Sequence, residues 1–152
     1  MKIRIRLATV ADIDRILPLM KELYEYAGFS TVAAFDEQSV GKFTARLISS
    51  PTAEILVADT GAELIGLASF VVDSPYYNWE HRVASGISFW VEPEYRKMGV
   101  GQKLYEASEL LATRHGCAAV TLGVMVEDKY LAEYHERNGF KNRELLFYKE
   151  IN

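Results

Sequence analysis

The chain has 152 residues, 49% of them hydrophobic and 25% charged, with 17 basic against 21 acidic side chains and a formal net charge of -4. That length suits a single domain spanning residues 1–152, and the acidic balance argues against nucleic acid as a partner. The single cysteine, Cys117, excludes an internal disulfide framework and cannot by itself form a zinc site, so no metal is expected.

Residues 2–9 alternate aliphatic and charged side chains, with Ile3, Ile5 and Leu7 on one face, as in a half-exposed edge strand. This opening lacks the unbroken apolar stretch of a secretory leader, and no uncharged run approaches the roughly 20 residues that span a bilayer. A cytoplasmic protein without a membrane partner is expected. Thr9 and Asp12 form a capping pattern for a helix carrying Ile13, Ile16, Leu17, Met20, Leu23 and Tyr24 on one stripe. Pro18 removes one helical donor, which predicts a kink or a split near Leu17. Val40, Phe43, Leu47 and Ile48 mark a second helix that follows Asp36 as N-cap and ends near Ser49-Ser50-Pro51.

Residues 53–59 and 63–73 read as an antiparallel hairpin turning at Thr60-Gly61-Ala62. A polar and aromatic loop at 74–82 leads into a strand at 83–91, which Pro93 stops. Residues 101–115 carry Leu104, Ala107, Ser108 and Leu111 at helical spacing, with Gly116 as terminator. Residues 118–126 are apolar on both faces and follow a helical crossover, which predicts parallel pairing with 83–91. A short helix at 128–138 and a closing strand at 145–151 complete the order βααβββαβαβ.

The chemistry concentrates where the strand at 83–91 ends. Trp90-Val91-Glu92-Pro93-Glu94-Tyr95-Arg96-Lys97-Met98-Gly99-Val100-Gly101 leaves a strand, crosses a loop and opens a helix. Gly99 and Gly101 leave the backbone uncovered, so neighbouring N–H groups can converge on an anion at the positive end of the helix, with Arg96 and Lys97 adding charge. A diphosphate suits such a cradle. A dinucleotide fingerprint needs a third glycine and a P-loop needs Gly-Lys followed by Ser or Thr, and neither is present. A plain glycine turn remains the competing reading of the segment taken alone.

These residues resemble the GCN5-related N-acetyltransferase (GNAT) family. Arg96 to Gly101 matches its Arg/Gln-x-x-Gly-x-Gly/Ala signature for acyl-coenzyme A. The Val91-x-Pro93 lead-in, Asn138-Gly139-Phe140 and the opening Ile5-Arg6-Leu7-Ala8-Thr9 with Asp12 and Ile13 agree. The resemblance implies a mixed six- to seven-stranded sheet flanked by helices, with the strands at 83–91 and 118–126 splayed to admit a pantetheine arm. Gly123 would then allow close approach, or would merely mark a bulge. It further implies acetyl-coenzyme A as cosubstrate, held by Val91, Arg96, Lys97, Met98, Gly99, Val100 and Gly101, and an acetyl group passed directly to an amine. The Val91 N–H is the implied oxyanion donor.

The last helix departs from the family pattern. The usual Asn, Ala and Tyr positions hold Asp128, Leu131 and His135, so the general acid is either His135, favoured by position, or Tyr134, favoured by chemistry. His135 could be a raised-pKa imidazolium, a hydrogen-bond donor to sulfur, or simply packed. Glu92 is the first candidate base, with Glu80 and His81 as others. Tyr76, Tyr77 and Trp79 in the 74–82 loop, with the aromatics of 24–29, suit an amine pocket by cation-π contact, and the loop equally suits a homodimer contact. A catalytically silent acyl-coenzyme A binding or sensing module is the alternative to an enzyme.

Overall fold

A computed structural model describes residues 2–151. β1 (Arg4–Leu7), β2 (Ala53–Asp59), β3 (Leu64–Asp73) and β4 (Val83–Val91) form an antiparallel meander, and β5 (Ala119–Thr121) joins parallel to β4. α1 (Ile13–Tyr26) and α2 (Glu37–Ser49) lie between β1 and β2 in the chain, α3 (Val100–Arg114) crosses from β4 to β5, and α4 (Lys129–Arg137) follows β5. The period-two alternation of the strands sorts the core into two layers. Ile55, Val57, Leu67 and Trp90 pack with Ile16 and Leu19 of α1 and Leu47 of α2. Leu56, Ala58, Ile65, Ala68 and Val91 pack on the other face with Val100 and Leu104 of α3.

Local chemistry sets the element ends as expected in several places. Asp36 caps α2 by accepting from Gln38 N at 3.0 Å and from Ser39 Oγ at 2.7 Å. Asp59 accepts from Gly61 N at 2.7 Å and closes the β2–β3 turn.

Other expectations are corrected. Of the kink or split expected at Pro18, the split does not occur: α1 is one unbroken helix. The carbonyl deprived of a donor belongs to Asp14, which is exposed like Pro18 itself, so it is open to solvent and no split is forced. Among the described residues the sheet has five strands, not six or seven. β5 spans Ala119–Thr121 rather than 118–126, and residues 145–151 form no strand. The apolar run Leu145-Leu146-Phe147-Tyr148 of that last segment is there, but a strand also needs an edge, and three residues of β5 offer almost none.

Asp12, 4% exposed, anchors the first turn of α1 to the sheet. It accepts from Nη1 and Nη2 of Arg6 at 2.7 Å each and from Thr9 N at 2.8 Å. Arg6 also reaches Asp59 at 2.8 Å. The Arg6 guanidinium holds the Asp12 carboxyl well below the usual carboxylate range, with the Thr9 hydrogen bonds helping. A depressed folded-state pKa stabilises at pH values above the ordinary 3.8, and that contribution fades as pH falls below it. Asp12→Asn is expected to cost at most about 3 kcal/mol at pH 7, since Arg6 keeps some water contact. It should also flatten the acid limb of stability against pH. Thermal melts from pH 2 to 7 check this, and identical acid limbs for the two proteins would show that another group titrates.

Candidate active site

The two central strands part early. β4 pairs with β5 only at Val83, Ala84 and Ser85, opposite Ala119, Val120 and Thr121, while its pairing with β3 continues to Val91. The fork is at Gly86, where a Cβ would lie 2.5 Å from both Thr121 O and Leu122 Cδ2. Glycine alone lets the chain leave β5 so close to β4. Gly123, the expected point of close approach, faces open space instead. Glu92 N donates to Ile65 O at 2.9 Å. In an antiparallel pair, alternate residues turn their N–H and C=O the other way, so Val91 and Phe89 direct theirs toward the edge that β5 has left. The Val91 carbonyl accepts from Arg96 Nε at 3.0 Å.

The loop after β4 ends in a built cradle. Lys97 and Gly99 are left-handed, with φ of 67° and 78°, and Gly99 is the N-cap of α3. The first N–H groups of α3, including those of Val100 and Gly101, have no partner within the helix. Nothing lies within 4 Å of a Cβ built at Gly99, whereas one at Gly101 would sit 2.9 Å from the Tyr134 hydroxyl. Free amides, a helix dipole and uncovered backbone fit a diphosphate. Lys97 and Met98 are exposed beside them. Arg96 commits its side chain to the end of β4, its Cζ 4.7 Å from the Trp90 ring centre and 5.3 Å from that of Tyr26.

Tyr134 and His135 diverge on α4, as adjacent helical positions must. Tyr134 packs over the first turn of α3 and stacks on Tyr105 at 5.5 Å, and burial pushes its phenol above the ordinary value. His135 is buried among Phe89 at 5.9 Å, Tyr105 at 5.7 Å and Phe140 at 5.6 Å, with Nδ1 hydrogen-bonded to the Tyr105 hydroxyl and Nε2 without a partner. Burial pulls His135 below the ordinary histidine value against a weaker opposite pull from Asp128. Its imidazole is therefore neutral near pH 7, the opposite of a raised imidazolium.

A cluster of carboxyls and rings occupies the end of β4. Partial burial, and then the adjacent Glu22 carboxyl, push Glu92 up to about 7. The Trp90 indole pulls the other way, and its Nε1 is buried without a hydrogen-bond partner. Tyr26 meets Trp90 edge-on at 5.2 Å, and Asp128 stands beside the Tyr26 hydroxyl. Glu22 was not among the residues expected from sequence. It shares a helix face with Tyr26 at a spacing of four, but that spacing does not say which face meets β4. Glu80, His81, Tyr76, Tyr77 and Trp79 precede Val83, so they lie at the opposite end of β4, roughly 25 Å of strand from Val91, and do not join this cluster. Among the described residues, no group of three or more His, Cys, Asp or Glu side chains is placed to hold a metal ion.

A sequence model of the acetyltransferase (GNAT) family matches residues 19–140. The chain belongs to this family. It is an acetyl-coenzyme A dependent N-acetyltransferase. The thialysine N-ε-acetyltransferase of Bos taurus is 27% identical over 143 residues, 90% of this chain and 83% of that protein. The protein of the same name from Sus scrofa is 26% identical, over 91% of this chain and 84% of its own. The solved aminoglycoside N-acetyltransferase AAC(6')-Iy in complex with coenzyme A shares the fold of this acetyltransferase with a TM-score of 0.82. It is 18% identical, with 98% of this chain and 95% of that one covered. A GNAT family acetyltransferase of Staphylococcus aureus does so with a TM-score of 0.72 at 23% identity, covering 99% of this chain and 100% of that one.

Proposed function

We propose that the protein passes the acetyl group of acetyl-coenzyme A to a primary amine of a small molecule or protein, by direct attack in a ternary complex. The observation that carries this is the open edge of β4, with the α3 cradle and the Glu92 cluster both at its end. When bound, acetyl-coenzyme A supplies a thioester carbonyl as electrophile. Lys97, Met98, Gly99, Val100 and Gly101 hold the diphosphate with backbone amides. Phe89 and Val91 offer N–H groups along the parted edge, and the Val91 N–H faces the charge that develops on a carbonyl. Arg96 steadies this peptide through its bond to the Val91 carbonyl.

Glu92 accepts a proton from the incoming ammonium, whose ordinary pKa near 10.4 keeps it charged at pH 7. On the leaving side, Tyr134 retains its proton across the working pH range and has one to give. Neutral His135 donates a hydrogen bond only. The acceptors named for similar proteins, thialysine and aminoglycosides, are amines, which supports the reading. The homodimer and the cytoplasmic setting belong to the same proposal. Leu146, Phe147 and Ile151 are 93%, 89% and 96% exposed, and they join Tyr76, Tyr77 and Trp79 as surface suited to a second copy.

Release of free thiol from acetyl-coenzyme A with a panel of amines tests the reaction. Amine-dependent release is expected. Thermal stabilisation by acetyl-coenzyme A without release from any amine would establish the silent binding module instead.

A further inference from the structure

We propose that Glu63 and Tyr95 are positioning residues for the acetyl-coenzyme A site: their hydrogen bond straps the diphosphate cradle to the β2–β3 turn and keeps the loop at Lys97 in its binding shape. This rests on the reading that the first amides of α3 hold the diphosphate.

The loop needs such a strap. Lys97 carries a side chain at φ of 67°, in the left-handed region that favours glycine, two residues before Gly99 at 78°. A conformation of this kind costs free energy and persists only where neighbouring contacts over-determine it. The backbone bonds lengthen along the loop, from 2.9 Å for Tyr95 N to Glu92 O, through 3.3 Å for Arg96 N to Pro93 O, to 3.4 Å for Met98 N to Tyr95 O, so the backbone alone grips Lys97 loosely. The two side chains before Lys97 supply the rest, one on each face of the sheet. Arg96 lies over Trp90, which belongs to the face that α1 and α2 cover, and Tyr95 packs against the core on the α3 face.

The Tyr95 hydroxyl then donates to Glu63 Oε1 at 2.6 Å, a short charge-assisted bond between residues 32 apart in the chain. The same bond holds the phenol proton and raises Tyr95 above its ordinary value. Glu63 is a firm anchor because its own backbone is fixed. Its carbonyl accepts from Thr60 N at 3.0 Å and from Thr60 Oγ1 at 3.1 Å, and its N–H donates to Thr60 Oγ1 at 3.1 Å. Asp59, at the start of the same turn, is tied to Arg6 of β1 at 2.8 Å. The strap therefore runs from two strands of the sheet, through the turn, to the residue two before Lys97. Glu63 is exposed and Tyr95 half-buried, so breaking their bond loosens the loop without opening the core.

Calorimetric titration with coenzyme A reads the strap. Kd is expected to rise about tenfold in Glu63→Ala and in Tyr95→Phe, and no further in the double variant, because either change removes the same bond. Glu63→Gln, which keeps an acceptor oxygen, should recover much of the loss. The melting temperature of the unliganded variants should barely move, since surface changes away from the core alter stability little. An unchanged Kd in Glu63→Ala, losses that add in the double variant, or losses matched by destabilisation of the unliganded protein would overturn the strap. The parent protein and Gly99→Val, titrated alongside, separate the outcomes. Binding by the parent that Gly99→Val abolishes keeps the cradle reading whatever becomes of the strap, while absence of binding by the parent removes both.

Discussion

Glu92→Gln is expected to lower kcat by about 10²- to 10⁴-fold, the range over which a positioned base contributes, while stabilisation by acetyl-coenzyme A is retained. The pH dependence fixes the assignment. Burial and the Glu22 carboxyl raise Glu92 to about 7. A base must be deprotonated to act, so kcat/KM should fall tenfold per unit below about pH 7 and lose that break above it. Glu92→Gln removes the group that titrates, so its residual activity should lack the limb. A break near pH 7 that survives in Glu92→Gln would transfer the role to another residue, and equal loss of cofactor binding and turnover would show that Glu92 supports the cradle instead.

Gly99→Val is the second large effect expected. Gly99 has φ of 78° and open space where a side chain would project, beside the free amides of α3. A β-branched residue there costs about 1–2 kcal/mol of strain in the left-handed region, enough to lower the melting temperature without unfolding the protein. Its methyl groups would also stand in the cradle. A ligand at a hundredfold excess over its Kd stabilises by about 2.7 kcal/mol. That whole shift with acetyl-coenzyme A should vanish in the variant. Should the variant melt at a lower temperature yet keep the full ligand shift, the diphosphate is bound elsewhere.

Much of the fold is legible in the chain because its signals are local. The apolar runs, the turn at Gly61 and the stop at Pro93 locate β2, β3 and β4 almost to the residue, and Asp36 locates the start of α2. The cradle is legible for the same reason, since its glycines and the helix they open are consecutive. What escapes depends on partners distant in sequence. The apolar run at 145–148 reads like a strand, but whether it pairs is decided by how little of β5 remains as an edge. Gly86 reads as an ordinary strand glycine until Thr121 and Leu122 are placed against it. Glu22 is an exposed helix residue whose effect on Glu92 shows only once α1 is laid on Trp90, and His81 reads as a base candidate until β4 separates it from Val91. For His135, the sequence position raises the question of charge, and only the ring packing decides its sign.

Leu122 leaning across Gly86 means that the slot beside Phe89 and Val91 exists before anything enters it. No rungs between β4 and β5 have to be unzipped on arrival, because none were ever formed past Ser85. On the proposed reading, a guest laid along this edge would spend its affinity on grip and alignment instead of on prising the molecule apart.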